Sequence, residues 1–146
     1  MIALLLALYV SLAHVPVITL ERTRCFGTCP AYKLTIMEDG TVLYDGEDFV
    51  RVKGKANGRI TKAALEELVR EFEKIDYLNL EDEYVEGKNC PQAWTDNPAA
   101  TTSLNWKGKQ KTILHYHGCR GLPILDQLTA LEKKIDAVVN TKQWVE

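Results

Sequence analysis

The sequence has no long hydrophobic run, no excess of basic residues and almost no serine. Its 146 residues contain 18 Lys and Arg against 20 Asp and Glu, a formal net charge of −2. A nucleic-acid-binding domain carries a strongly basic surface, so this balance predicts no nucleic-acid partner. Ser11 and Ser103 are the only serines, and neither stands in the context of a nucleophile elbow. No catalytic signature is present, so the sequence favours a protein that is not an enzyme.

The longest uncharged apolar run covers residues 2–13. A helix needs about 20 apolar residues to span a bilayer, so this run predicts no membrane span in the mature chain. Its length matches the hydrophobic region of a secretory signal, with Ser11 and Ala13 as the small residues before cleavage. We therefore predict a signal peptide over residues 1–13, a single domain over residues 14–146, and a secreted or periplasmic location. A buried first strand or helix is the alternative interpretation.

The chain has four cysteines, an even number that suits two disulfides in an exported protein and allows three pairings. Cys25 and Cys29 are close enough in a flexible loop to reach the Cα separation of roughly 4.4–6.8 Å that a disulfide tolerates. We prefer this pair, which leaves Cys90 to pair with Cys119. In the chain-entropy model, the longer loop gives about 3.5 kcal/mol of stabilisation and the shorter one about 2 kcal/mol.

Alternating apolar residues predict strands in the first part of the chain. Residues 15–23 form the first, and residues 32–37 and 42–44 flank Asp39-Gly40, which is a strong hairpin signal. Residues 49–53 predict a third strand that ends at Gly54. Later in the chain, residues 101–106 and 109–116 predict a second hairpin about Lys107-Gly108.

Two segments have the 3.6-residue period of an amphipathic helix. The first follows Thr61, a suitable N-cap, and the second opens at Pro123, which is well tolerated in a first helical turn. Their apolar stripes are Leu65, Leu68, Val69, Phe72 and Ile75, and Ile124, Leu128, Leu131, Ile135 and Val138. The order of elements predicts a two-layer α+β fold. Its sheet is expected to be largely antiparallel, with about five strands, and to have the two amphipathic helices packed on one face.

His115 and His117 are the candidate metal ligands. They lie two apart on a predicted strand, so their side chains project from one face. A tetrahedral site needs three or four ligands, and Cys119, Asp96 or Asp82 could supply another. His14 lies at the boundary of the predicted leader. The simpler alternative is that both imidazoles bond the nearby loop, and no cofactor is predicted.

Cys25 and Cys29 also suggest thiol–disulfide exchange. The familiar redox motif has two residues between its cysteines, whereas three separate these. A reactive thiol also needs a helix N-terminus or a nearby cation to lower its pKa, and the segment after Cys29 predicts a strand. A structural disulfide is therefore the preferred interpretation.

Several motifs together resemble an uncharacterised family of bacterial exported proteins, a domain of unknown function. The matching residues are Arg22, CFGTCPAY (25–32), Asp39-Gly40, Tyr44, Gly46, VKGKANGRI (52–60), FEKID (72–76), TDNPAATTSL (95–104) and HYHGCRG (115–121). The resemblance runs from about Thr19 to Trp144. It implies an α+β domain behind a signal peptide or lipoprotein leader, and it implies no reaction, substrate or cofactor. The short N-terminus, which has no basic residue before its apolar run, departs from that pattern.

These observations favour a non-enzymatic exported module that binds an unidentified macromolecule in the cell envelope or outside the cell. Tyr116 and Arg120, in the HYHGCRG turn, are the predicted contact residues. The first alternative is a metal-dependent protein or enzyme that uses His115 and His117. The second is thiol exchange at Cys25 and Cys29.

Overall fold

Residues 15–146, the part of the chain that this computed structural model describes, form nine strands and three helices. The strands are β1 (Pro16–Arg22), β2 (Ala31–Met37), β3 (Thr41–Asp48), β4 (Gly54–Arg59), β5 (Glu83–Tyr84), β6 (Gln92–Ala93), β7 (Ala99–Trp106), β8 (Lys109–Tyr116) and β9 (Cys119–Arg120). The helices are α1 (Lys62–Lys74), α2 (Pro123–Val139) and the one-turn α3 (Lys142–Val145), with a 3-10 turn at Tyr77–Asn79. The predicted signal peptide lies outside the described residues.

Seven strands form one sheet in the order β4-β3-β2-β1-β7-β8-β5. The sheet is mixed, because β5 pairs in parallel with β8 at one edge while the other neighbours are antiparallel. The prediction of a largely antiparallel sheet of about five strands is therefore wrong in strand number and in sheet type. Two residues are too few to show the alternation that identifies a strand in a sequence, which is why β5 was missed. A mixed α and β composition with one large sheet is confirmed.

The hydrophobic core lies between one face of the sheet and the helices. Alternate residues of the long strands are buried and form one cluster with the apolar stripes of α1 and α2. Ile18 and Leu20 on β1 stand at its centre, paired with Ile36 and Leu34 on β2. The opposite face is partly exposed and polar, with residues such as Thr19, Thr35, Thr101, Ser103 and Thr112. This division fixes which side chains meet the helices and which meet water.

Three of the local sequence signals behave as predicted. Gly40 adopts a positive φ of 86° in the turn between β2 and β3, and the Asp39 carboxylate accepts from the Thr41 amide at 2.9 Å. The Thr61 hydroxyl accepts from the Ala64 amide at 3.1 Å and caps α1. Pro123 begins α2. Turn and cap chemistry depends on near neighbours in the chain, so the sequence alone locates it.

The predicted third strand at residues 49–53 is wrong. Phe49 has a positive φ of 50°, and the strand begins at Gly54, where the prediction ended it. The amides of Arg51 and Val52 bond instead to the carbonyls of Val145 and Trp144. The C-terminal turn therefore takes the hydrogen bonds that a neighbouring strand was expected to take, and alternating residues alone cannot reveal such a distant partner.

The long segment between α1 and β7 is held by a disulfide and a short ribbon. The structure joins Cys90 to Cys119 and Cys25 to Cys29, with Cα separations of 5.3 Å and 5.6 Å. Beside the first bond, β6 pairs with β9 in a separate two-stranded ribbon. The loop is thereby fixed against the end of β8. Within residues 15–146, no helix is both long enough and apolar enough to cross a membrane.

Candidate functional site

Charged and polar side chains collect at the end of the sheet where β1 and β8 finish and β7 begins. We call this group the buried polar cluster, and its members are Arg22, Tyr32, His115, His117, Glu132 and Asp136. Cys25 follows β1 and Cys119 follows β8, so both disulfides lie at the same end. Two covalently held loops therefore follow the strands that end at the cluster.

Glu132, on α2, is the centre of the cluster and is only 1% exposed. Its Oε1 lies 2.7 Å from Nδ1 of His115, and its Oε2 lies 2.6 Å from Nε2 of His117. The two residues stand two apart at the end of β8, and their ring centroids are 4.7 Å apart. Strand geometry thus delivers two imidazoles to one carboxylate on the covering helix.

Burial raises the pKa of the Glu132 carboxyl, but hydrogen bonds from His115 and His117 and their charge more than offset this effect, so the pKa lies below its usual range. Glu132 is therefore a carboxylate. An ionised carboxylate inside a protein needs compensating partners, because its transfer out of water is costly. The site is organised around a buried negative charge.

Asp136, one helical turn after Glu132, holds the other half of the cluster. Nε and Nη2 of Arg22 donate to Oδ2 of Asp136 at 3.0 Å and 2.7 Å, and the Tyr32 hydroxyl donates to Oδ1 at 2.7 Å. Burial would lower the pKa of Arg22, but the Asp136 carboxylate and its neighbours raise it. Nη1 of Arg22 stays 3.9 Å from Oε2 of Glu132. The guanidinium charge is therefore directed mainly to Asp136.

A cleft of about 490 Å³ opens beside the histidines. His115 and His117 form one wall, and Arg120, Asn97 and Leu125 contribute to the others. The His117 side chain is 21% exposed, whereas Glu132 lies behind the histidines. The His117 imidazole is therefore accessible from solvent through this cleft.

Trp94 directly follows β6, beside the cleft, and is 62% exposed. Its amide donates to the Gly118 carbonyl at 2.9 Å, and its carbonyl accepts from the Tyr116 hydroxyl at 2.6 Å. The Arg120 guanidinium lies 5.6 Å from its ring centroid, in cation–π range. The backbone of this exposed aromatic residue is therefore fixed, and its ring is paired with a cation.

Gly118 permits this close approach. A Cβ at this position would meet the Trp94 carbonyl oxygen and the Tyr116 ring. We expect Gly118→Ala to displace the Trp94 segment and to destabilise the protein by about 1–3 kcal/mol, as overpacking does. Hydrogen exchange at the Trp94 amide should speed up in this variant. Gly87→Ala makes no such contact, so it is the control for the effect of a glycine substitution alone. Equal protection of the Trp94 amide in the wild type, Gly118→Ala and Gly87→Ala would contradict the expectation.

The structure places the predicted site residues in separate groups. Tyr116 and Arg120 both contact the Trp94 segment, while His115 and His117 meet at Glu132. The two aspartates proposed as further ligands lie elsewhere. The Asp82 carboxylate pairs with Lys111 at 2.6 Å, and that of Asp96 accepts from Thr95. His14 lies outside the described residues.

Glu132 was missed by the sequence reasoning, although a signal was present. It lies four residues after Leu128 and three before Ile135, within the apolar stripe of α2. A carboxylate on the buried stripe of an amphipathic helix must find a buried partner. That periodicity identifies Glu132 as unusual but does not identify its partners, which come from β8.

The Cys25–Cys29 loop has less support as a redox centre. Arg24, the neighbouring cation in the sequence, pairs with Glu47 at 2.8 Å and with Asp48 at 3.4 Å. Phe26, inside the loop, is 87% exposed. The loop presents an apolar side chain to solvent at the same end of the molecule as Trp94.

Comparison with known proteins supplies a family but no activity. The model of a family described as "Domain of unknown function (DUF6438)" matches residues 16–139. The match runs from β1 to α2 and contains every member of the buried polar cluster. No curated protein matches the chain.

Proposed function

The chain belongs to the DUF6438 family of domains of unknown function, and we propose that it is an exported, non-enzymatic binding module stabilised by disulfides. In this proposal residues 1–13 are a signal peptide, and residues 14–146 are one mature domain in the periplasm or outside the cell. The partner is a protein of the cell envelope or of the extracellular space.

Two disulfides support the proposed location. Disulfides form and persist in oxidising compartments and are rare in the cytosol. The structure contains two of them and, among the described residues, no free cysteine. A periplasmic or extracellular protein of this kind would keep its Trp94 segment folded through the Cys90–Cys119 bond.

The observation that carries the binding role is the exposed Trp94 held beneath Arg120. Burying an indole usually stabilises a fold, so an indole that is 62% exposed on a fixed backbone contributes little of that energy to this chain. Trp, Tyr and Arg are the residue types most often found as energetic centres of protein interfaces. Because the backbone of Trp94 is already ordered, binding through it costs little additional conformational entropy.

The chemistry of this surface suggests the chemistry of the partner. Arg120 offers a planar cation and Trp94 an apolar face, so a complementary protein surface presents a carboxylate beside an apolar side chain. Tyr116 uses its hydroxyl on the Trp94 carbonyl, so in this proposal it positions the surface.

We expect Trp94→Ala and Arg120→Ala to weaken partner capture without unfolding the protein. Loss of an interface centre costs about 2 kcal/mol or more, which is roughly thirtyfold in affinity. The measurement is quantitative pull-down from a solubilised envelope fraction with the tagged mature protein, followed by binding measurements on the captured protein. Thermal unfolding of each variant verifies that it is folded.

Lys109→Ala provides the matched control. Lys109 is exposed at the opposite end of β8, so its loss should leave capture unchanged. Equal capture by the wild type and by both the Trp94 and Arg120 variants would contradict the proposed contact surface, whatever the identity of the partner.

A further inference from the structure

We infer that His115, His117 and Glu132 form a binding site for one divalent transition-metal ion of the zinc class. This inference goes beyond the proposed binding role and rests on different residues. One ligand atom from each of these three side chains lies within 4.8 Å of the other two. Histidine nitrogens and carboxylate oxygens are standard zinc ligands in proteins.

The present distances are close to those of a metal centre. Zinc binds histidine nitrogen at about 2.0–2.1 Å and carboxylate oxygen at about 2.0–2.2 Å, so two ligand atoms of a tetrahedral ion are about 3.3 Å apart. The two His-to-Glu132 distances are 2.7 Å and 2.6 Å. These two pairs would open by well under 1 Å to admit an ion, and the remaining separations between ligand atoms, which lie within 4.8 Å, would close toward the same value. Small χ rotations supply shifts of this kind.

The charge of the cluster suits a cation at this point. Arg22 gives its short bonds to Asp136, at 2.7 Å and 3.0 Å, and remains 3.9 Å from Glu132. The hydrogen-bonding partners of the Glu132 carboxylate are therefore the two imidazoles. A divalent ion between the three side chains would replace the imidazole hydrogens that now point at the carboxylate and would neutralise its buried charge.

The coordination sphere would be open on one side. Three protein ligands leave a fourth tetrahedral position, which in other proteins holds water or a ligand. The cleft of about 490 Å³ beside His115 and His117 gives that position access to solvent. The buried side is closed by Glu132 and the core of α2. The site therefore combines a fixed buried ligand with an accessible face through which the ion can enter.

Zinc titration of the full mature protein tests the inference directly. After removal of bound metal with a chelator, calorimetry should show one zinc ion per chain, and added zinc should raise the thermal midpoint because it binds only the folded site. Cobalt(II) should give visible absorption bands of a four-coordinate ion, which report coordination by the cluster. His117→Gln removes a ligand at the edge of the cleft and should weaken zinc binding by at least about tenfold.

Asp126→Asn is the control variant. Asp126 is an acidic residue of α2 that lines the same cleft but is not one of the three ligands, so zinc affinity should remain within about twofold of wild type if the trio is the site. Equal zinc binding by wild type and His117→Gln would place the ion elsewhere and overturn the inference. The absence of binding heat and of a thermal shift in the wild type would also overturn it and leave the cluster as a hydrogen-bonded charge network.

This inference and the proposed function can fail separately. Trp94→Ala removes the exposed indole without touching a ligand atom, so it should weaken partner capture and leave the zinc affinity unchanged. His117→Gln should weaken zinc binding, and its folded state is verified by circular dichroism. If the protein binds zinc but captures no partner, the inference stands and the proposed function fails. If it captures a partner but binds no zinc, the proposed function stands and the inference fails.

Discussion

Glu132→Ala should lower the free energy of unfolding by about 3–5 kcal/mol, the cost of breaking a buried charge pair by removing one partner. The substitution leaves the His115 Nδ1–H without its acceptor in a residue that is 2% exposed. It also removes the acceptor of His117 and a carboxylate near Arg22. Urea unfolding of chelator-treated protein measures the effect, so that loss of a bound metal does not contribute.

Two further variants provide comparisons. One removes the charge of Glu132 but keeps its shape, and the other removes an exposed glutamate. Glu132→Gln keeps the shape and one acceptor oxygen, so its loss of stability should be smaller than that of Glu132→Ala. Glu67→Ala removes an exposed glutamate that pairs with Lys134 at 3.4 Å and should cost less than about 1 kcal/mol. A loss below about 1 kcal/mol for Glu132→Ala would contradict the view that this carboxylate organises the site.

Removing the Cys90–Cys119 bond is expected to be the more damaging of the two disulfide deletions. The bond closes a separation of 29 residues, against 4 for Cys25–Cys29. The chain-entropy model then gives a loss of about 3.5 kcal/mol for Cys90→Ala/Cys119→Ala and about 2 kcal/mol for Cys25→Ala/Cys29→Ala. Denaturant unfolding of the two double variants under the same non-reducing conditions provides the comparison.

The larger effect should also have a local signature. Cys119 is buried and belongs to β9, which pairs with the segment that leads to Trp94. The Cys90→Ala/Cys119→Ala variant should therefore lose hydrogen-exchange protection at the Trp94 amide, whereas the Cys25→Ala/Cys29→Ala variant should keep it. If the Cys25 and Cys29 variant were the less stable of the two, the loop-closure argument would be wrong for this protein.

The local elements were predictable because their causes lie within a few residues of each other. The stripe on α1, the Thr61 cap and the Asp39-Gly40 turn each depend on neighbours in the chain. The strand at residues 49–53 was predicted wrongly because its amides bond to Trp144 and Val145, almost a hundred residues away. The parallel edge strand β5 was missed because its pairing with β8 is set by tertiary contact and not by a pattern of its own.

The candidate site, like the fold, was predictable from the sequence only in part. His115 lies on β8 and His117 directly follows it, and their two-residue spacing placed both imidazoles on one side, as the two-residue period of a β-strand predicts. The sequence instead suggested Asp82 or Asp96 as the accompanying carboxylate. The structure brings Glu132 from α2, because the helix packs its apolar stripe on the sheet and carries the carboxylate in with it.

The sequence by itself determined the two amphipathic helices, the two hairpins and the even set of four cysteines, since periodicity, turn chemistry and residue counts are properties of the chain. Only the tertiary structure decided the strand order, the mixed sheet and the meeting of His115, His117 and Glu132. The physical reason is that a buried charge finds its partners across the core, and the packing of a helix on a sheet sets that distance.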